Sequence, residues 1–246
     1  EKVIFSSEFL QSRLVKLSEI ERLKNILRHL SLSVYKIIIY IRNPIELAVS
    51  LISTSVKSGG LSCQIPSPNT SHYFENICNY KATIERWSSK FGSDKIVVRL
   101  YDPKHFYQNS LLQDFCCAAG IEYHNDFEQP SKVYNQSLDL FGITLLSLIN
   151  KDIPMFNNDK CLNPIRANLV QLIEKHCSNG MPLIPNRDII EVYEEAFKDS
   201  NEWVRQKFFP NKKQLFTDPI YPKIEEELPA IVTIAELISD IWISKQ

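Results

Sequence analysis

The residues of this chain whose types and spacing best suit phosphate binding lie between Lys36 and Gly60, in KIIIYIRNPIELAVSLISTSVKSGG. Lys36 to Ile41 is an apolar, β-branched run that reads as a strand, and Ile45 onward reads as a helix. Arg42, Asn43 and Pro44 therefore fall at a strand-to-helix junction. A helix N-terminus offers unpaired N–H groups and a partial positive charge. Pro44 suits the first helical turn, and an arginine adds a bidentate fork for oxyanions. Ser50 follows about one and a half turns into the helix, where its hydroxyl reaches toward the same anion. The alternative is that Arg42 makes a salt bridge at the sheet edge and Ser50 is a small packing residue.

The elements that must hold these residues give an α/β start and a helical finish. Glu1 to Phe5 reads as a strand, Leu17 to Leu30 as an amphipathic helix, Lys36 to Ile41 as a strand and Ile45 to Lys57 as a helix. A loop follows, SGGLSCQIPSPNTS, marked as exposed by its Gly, Ser and Pro content. Tyr73 to Phe91 reads as one helix, Lys95 to Leu100 as a strand, and Leu111 to Ala119 as a helix closed by Gly120 in the C′ position. After a loop at Asp126 to Lys132, strand signals fade. Leu138 to Asn150, Pro164 to Cys177, Arg187 to Lys198 and Ile224 to Ser244 read as helices. The fold class is α/β, with strands joined to following helices by right-handed parallel crossovers.

R-x-P-x5-S directly after an apolar strand, here Arg42, Pro44 and Ser50, resembles the 3′-phosphate motif of sulfotransferases that use 3′-phosphoadenosine 5′-phosphosulfate, PAPS. VIFSSEFL resembles that family's second strand, and YFENICNYKATIERWSSKFGSDKIVVRLYD its helix followed by a strand. NQSLDLFGITLLSLIN and NEWVRQKFFP resemble later parts of the bacterial carbohydrate-modifying branch, so the resemblance covers most of Glu1 to Pro210. It implies a P-loop-like three-layer fold, a central parallel sheet flanked by helices, in one domain over residues 1–246. An α/β core would occupy about 1–130 and a helical cover about 131–246. It also implies transfer of a sulfuryl group from PAPS to a hydroxyl or amine of a carbohydrate-type acceptor, with no metal. The family's phosphosulfate loop, G-x-x-K-[ST]-G-T, precedes the SSE strand, and none of the six glycines here lies in such a loop. The expectation is that the natural protein carries that loop upstream of Glu1. Catalysis by the chain without it is in doubt, and a non-catalytic interaction protein that kept the fold is the alternative. A glycosyltransferase lacks support because no D-x-D motif is present.

The resemblance also nominates individual residues. Glu8, in SSE after the first strand, stands close to where related carbohydrate sulfotransferases place a catalytic carboxylate, and a strand end aims side chains into the ligand crevice of α/β folds. The competing reading has Glu8 cap the next helix or lie in solvent. Ser6 and Ser7 are strand-end serines, and His72 and His105 are further candidate bases outside any family motif. In several sulfotransferase branches a loop near SKVYNQS closes over the nucleotide, which nominates Lys132, Asn135 and Ser137 as contacts to the 3′-phosphate or adenine. The bland reading makes Asn135 the N-cap of the helix near Leu138. Lys57, near the end of the Arg42 helix, either faces the cleft or complements the helix dipole from the last turn, and the dipole reading is favoured. Trp203, Phe208, Phe209 and Phe216 are read as anchors of the C-terminal helices rather than a sugar platform, and Arg205, Lys207, Lys212 and Lys213 as a solvated basic group.

Composition narrows the class. With 246 residues, 44% of them apolar, the chain can bury a substantial core, and a net charge of −1 with interspersed signs argues against a generic nucleic-acid binder or a polybasic membrane surface. No run reaches the roughly 20 apolar residues of a membrane span. The six cysteines show neither C-x-x-C spacing nor companion histidines at zinc-ligand intervals, and Cys116 with Cys117 read as small packing residues. Free thiols favour a reducing, cytoplasmic compartment, bacterial by the resemblance. The sequons at Asn69 and Asn135 keep a Golgi-lumen alternative with a removed anchor open. The expected partner is a small-molecule or glycan acceptor.

Overall fold

The computed structural model describes residues 2–124, 126–127, 136–217, 219, 234–235 and 238–239. Among them the protein is mixed α/β and mostly helical, with a small two-stranded parallel sheet. The elements are α1 (Phe9–Ser12), α2 (Leu17–His29), β1 (Ile37–Ile41), α3 (Pro44–Lys57), α4 (His72–Cys78), α5 (Tyr80–Phe91), β2 (Ile96–Leu100), α6 (Leu111–Ala119), α7 (Leu140–Ile149), α8 (Pro164–His176) and α9 (Arg187–Phe208). The chain forms two compact units, one of Glu1–Pro44, Pro66–Gln129 and Glu191–Asp218, the other of Ile45–Ile65, Pro130–Ile190 and Pro219–Gln246.

The first unit is built on the β-branched runs. β1 and β2 pair in register from Ile37 opposite Ile96 to Ile41 opposite Leu100. In β2, Ile96, Val98 and Leu100 are buried while Val97 and Arg99 are half-buried, the period of two expected of a strand with one face on a core. α2 packs on α5, and α5 on β2, burying Ile20, Ile84 and Trp87. Asp114 of α6 is almost fully buried. Its carboxylate accepts from Arg99 Nε and Nη2, from the Tyr40 hydroxyl at 2.6 Å and from the Tyr107 N–H at 2.9 Å, which fastens α6 to both strands. Burial opposes ionisation of Asp114, but the Arg99 guanidinium and the Tyr40 hydroxyl outweigh it and hold the carboxyl below the usual range.

The second unit gathers around α7, whose sequence LFGITLLSLI is apolar nearly all round and correspondingly buried. Asp139 caps α7 by accepting the Gly142 N–H at 2.8 Å, and its other oxygen accepts the Gly180 N–H at 3.0 Å. The end of α3 is held by a buried arginine. Arg166 Nη2 donates to the carbonyls of Val56 at 3.0 Å and Lys57 at 2.8 Å, and its Nε donates to Asn150 Oδ1 at 3.1 Å. Asn150 Nδ2 in turn donates to Val56 O at 2.8 Å and Gly60 O at 2.9 Å. A buried cation with no carboxylate bonded to it among the described residues is tolerable here because it faces the negative end of a helix.

Several sequence expectations need correction. Lys2 to Phe5 is not a strand: it pairs with neither strand, and Val3, Ile4 and Phe5 are exposed. The helix expected over Tyr73 to Phe91 breaks at Asn79, whose side chain accepts the Ala82 N–H and starts α5 anew. α7 begins at Leu140 under Asp139, so Asn135 is not its N-cap. α9 runs ten residues beyond Lys198, because its buried stripe continues from Tyr193 and Phe197 through Ser200 to Val204. Cys116 is buried as expected, whereas Cys117 is exposed. The helix expected at Ile224 to Ser244 lies almost wholly outside the described residues.

Candidate functional site

The carboxyl end of β1 is fixed by its own backbone before any ligand is considered. The Tyr101 N–H donates to Ile41 O at 2.7 Å, extending the ladder one residue past the strands. The Tyr80 hydroxyl, nearly inaccessible, donates to Arg42 O at 2.6 Å and accepts from Arg42 N at 3.3 Å, so both backbone polar groups of Arg42 close on one side chain. Asn43 Nδ2 reaches Thr217 O at 3.5 Å, and the ring of Phe216 lies 6.2 Å from that of Tyr80. Arg42 is half-buried, and α3 starts at Pro44 as the sequence predicts.

In the second unit, residues 50, 53 and 57 share one face of α3, at i, i+3 and i+7. That face holds the segment leading into α7. Ser50 Oγ lies 3.5 Å from Ser137 Oγ, Ser53 Oγ accepts the Leu138 N–H at 2.8 Å, and Lys57 Nζ donates to Gln136 O at 3.1 Å. Lys57, in the last turn of α3, also pairs with Glu174 at 2.9 Å, which adds a bridge to α8 and to this segment. Two nominated residues far apart in sequence, Ser50 and Ser137, are thus brought together. Arg42 belongs to the first unit. Lys132 and Asn135 lie outside the described residues.

Glu8 occupies the N-cap position of α1 and makes no capping bond through its side chain. It is exposed, and its charge adds to burial in raising the Tyr73 hydroxyl above its ordinary range. Ser7 Oγ accepts the Phe9 N–H at 3.2 Å, the backbone-partner role. His72 pairs with Glu75 at the exposed start of α4. His105 is placed otherwise: it lies past β2 between Asp102 and Lys212. The D-x-x-H spacing from Asp102 to His105 was the available sequence signal, but nothing in the sequence pointed to Lys212 as the third member. Trp203 packs with Phe208 and carries Lys81 and Lys207 over its ring.

Among the described residues, no group of three or more His, Cys, Asp or Glu side chains is arranged to hold a metal ion, and no helix is long and apolar enough to cross a membrane. No protein-family profile matches the chain. No solved structure matches it either. Over 188 residues it is 24% identical to a protein of Archaeoglobus fulgidus described as uncharacterized. That alignment covers 76% of this chain and 49% of the other protein, so the chain spans about half the length of the relative it matches.

Proposed function

We propose that this chain belongs to a PAPS-dependent sulfotransferase, on a P-loop-like three-layer frame, acting on a hydroxyl or amine of a carbohydrate-type acceptor. The observation that carries the reading is the order at the junction: a parallel strand ending at Ile41, Arg42 with its backbone closed on Tyr80, and a helix opening at Pro44 with Ser50 beside Ser137. In this reading Arg42 grips the 3′-phosphate, as the motif implies. A guanidinium suits a tetrahedral dianion, since it donates two hydrogen bonds without bringing a competing negative charge.

The chemistry is a displacement at sulfur. The acceptor oxygen forms a bond to sulfur, the bond from sulfur to the 5′-phosphate oxygen breaks, and the acceptor proton passes to a base, giving a sulfate ester and 3′-phosphoadenosine 5′-phosphate. Positioning and charge stabilisation carry most of such a transfer. Glu8 is the base proposed by resemblance. The 5′-phosphosulfate cradle of the family falls on a loop that this sequence does not contain.

The deciding experiment is calorimetric binding of 3′-phosphoadenosine 5′-phosphate to the natural full-length protein and to Arg42→Ala. The expected result is binding in the parent weakened by roughly 2 kcal/mol or more in the variant, as removal of a charge-assisted phosphate contact requires. A well-folded parent that does not bind the nucleotide would sink the proposal and leave the junction a purely structural turn.

A further inference from the structure

In the first unit, a cluster past the carboxyl end of β2 joins three groups that the nucleotide reading does not use. Asp102 Oδ2 lies 3.0 Å from His105 Nδ1, and Asp102 Oδ1 accepts the Lys104 N–H at 3.0 Å. His105 Nε2 lies 2.6 Å from Lys212 Nζ. Lys212 is on the segment after α9, where Arg205 Nη1 donates to its carbonyl at 2.8 Å. Arg205 is itself neutralised by Glu202 at 2.7 Å.

The proton count follows from the contacts. A carboxylate only accepts, so Asp102 fixes the ring proton on Nδ1, and Nε2 turns its lone pair to the ammonium of Lys212. In this arrangement Nε2 and Nζ, 2.6 Å apart, share the one hydrogen that the ammonium donates. With its lone pair already filled, His105 offers nothing to a neutral hydroxyl. Among the described residues, the charged groups in contact around it are Asp102 and Lys104 on its own segment, and Arg205 with Glu202 on the facing one.

We propose that His105 and Lys212 form an oxyanion-binding site that takes up a proton as it loads, for a carboxylate, sulfate or phosphate-monoester group. On loading, one proton from solvent goes to Nε2, the imidazolium donates to one ligand oxygen and the Lys212 ammonium to another. No covalent bond is made or broken. Asp102 compensates the imidazolium. The site stands apart from the nucleotide reading, and either can fail alone.

The test is a titration of the natural full-length protein with inorganic sulfate, following the His105 ring C–H signal by NMR. That signal is assigned among the five histidines by its loss in His105→Gln. The expected result is a saturable downfield shift and an affinity that strengthens up to about tenfold per pH unit on going from about pH 8 toward the histidine pKa, the ceiling for one coupled proton. Lys212→Met should weaken binding about tenfold or more. Parallel titrations with glucuronate, glucose 6-phosphate and uncharged glucose identify the source of the anion. Binding by the sugar acids but not glucose gives an acidic saccharide, and binding by sulfate alone gives a free anion. If Lys212→Met does not fold, calorimetric loss of sulfate binding in His105→Gln carries the same test. An unshifted His105, an affinity independent of pH, or equal binding in a folded Lys212→Met would overturn the proposal and leave an ordinary surface contact.

Discussion

Asp114 shows how much one residue decides in the first unit. Its side chain is 1% exposed and accepts from two side chains and a backbone N–H, so replacing one oxygen by an NH2 group in Asp114→Asn turns a donor toward Arg99. Breaking such a pair costs about 3 kcal/mol, at the low end of the range because the Arg99 side chain is 31% exposed. The folded-state pKa of Asp114 is depressed, so its charge contributes stability that is present above the ordinary carboxylate range and lost as pH falls through the lowered value. Urea midpoints of parent and variant should therefore differ most at neutral pH and converge from about pH 4 downward. A gap that stays constant through acid would assign the loss to shape rather than charge.

At the scale of elements, glycines in two helices make opposite demands. Gly120 has a φ of +64°, ends α6 in the left-handed region and was readable from the sequence as a C′ residue. Gly142 sits inside α7, where sequence alone assigns it only a helix penalty. The packing of α7 on α8 explains it: a Cβ there would lie 2.7 Å from Cys177 Cβ and 3.3 Å from Ile173 Cγ2. Gly142→Ala gains about 1 kcal/mol of helix propensity and incurs about 1–3 kcal/mol of overpacking, so net destabilisation is expected. Thermal melts of the variant check the sign, and a higher melting temperature would mean that α7 and α8 separate without cost.

For the whole molecule, the relevant test is whether nucleotide binding is coupled to folding. A ligand that binds only the folded state stabilises by about 2.7 kcal/mol at a hundred times its Kd. For a chain of 246 residues that corresponds to a rise in Tm of roughly 5–10 °C with 3′-phosphoadenosine 5′-phosphate. If the nucleotide reading holds, the rise should vanish in Arg42→Ala and survive in Lys212→Met, because that reading does not use Lys212. Equal rises in parent and Arg42→Ala would place the nucleotide elsewhere.

The local signals that determined structure directly were strong and short in range. The β-branched runs gave β1 and β2 within a residue of their observed starts, Pro44 and Gly120 marked helix ends, and the pattern of LLQDFCCAA set α6 at Leu111–Ala119. Each of these depends on the backbone preferences of neighbouring residues, which the chain carries whatever its fold. Tertiary structure alone decided that Val3, Ile4 and Phe5 stay unpaired, that Ser50 meets Ser137 across 87 positions, and that Lys212 reaches His105 across 107. Strand pairing and side-chain meetings over such separations are fixed by what packs beside them, and no window of sequence contains that information.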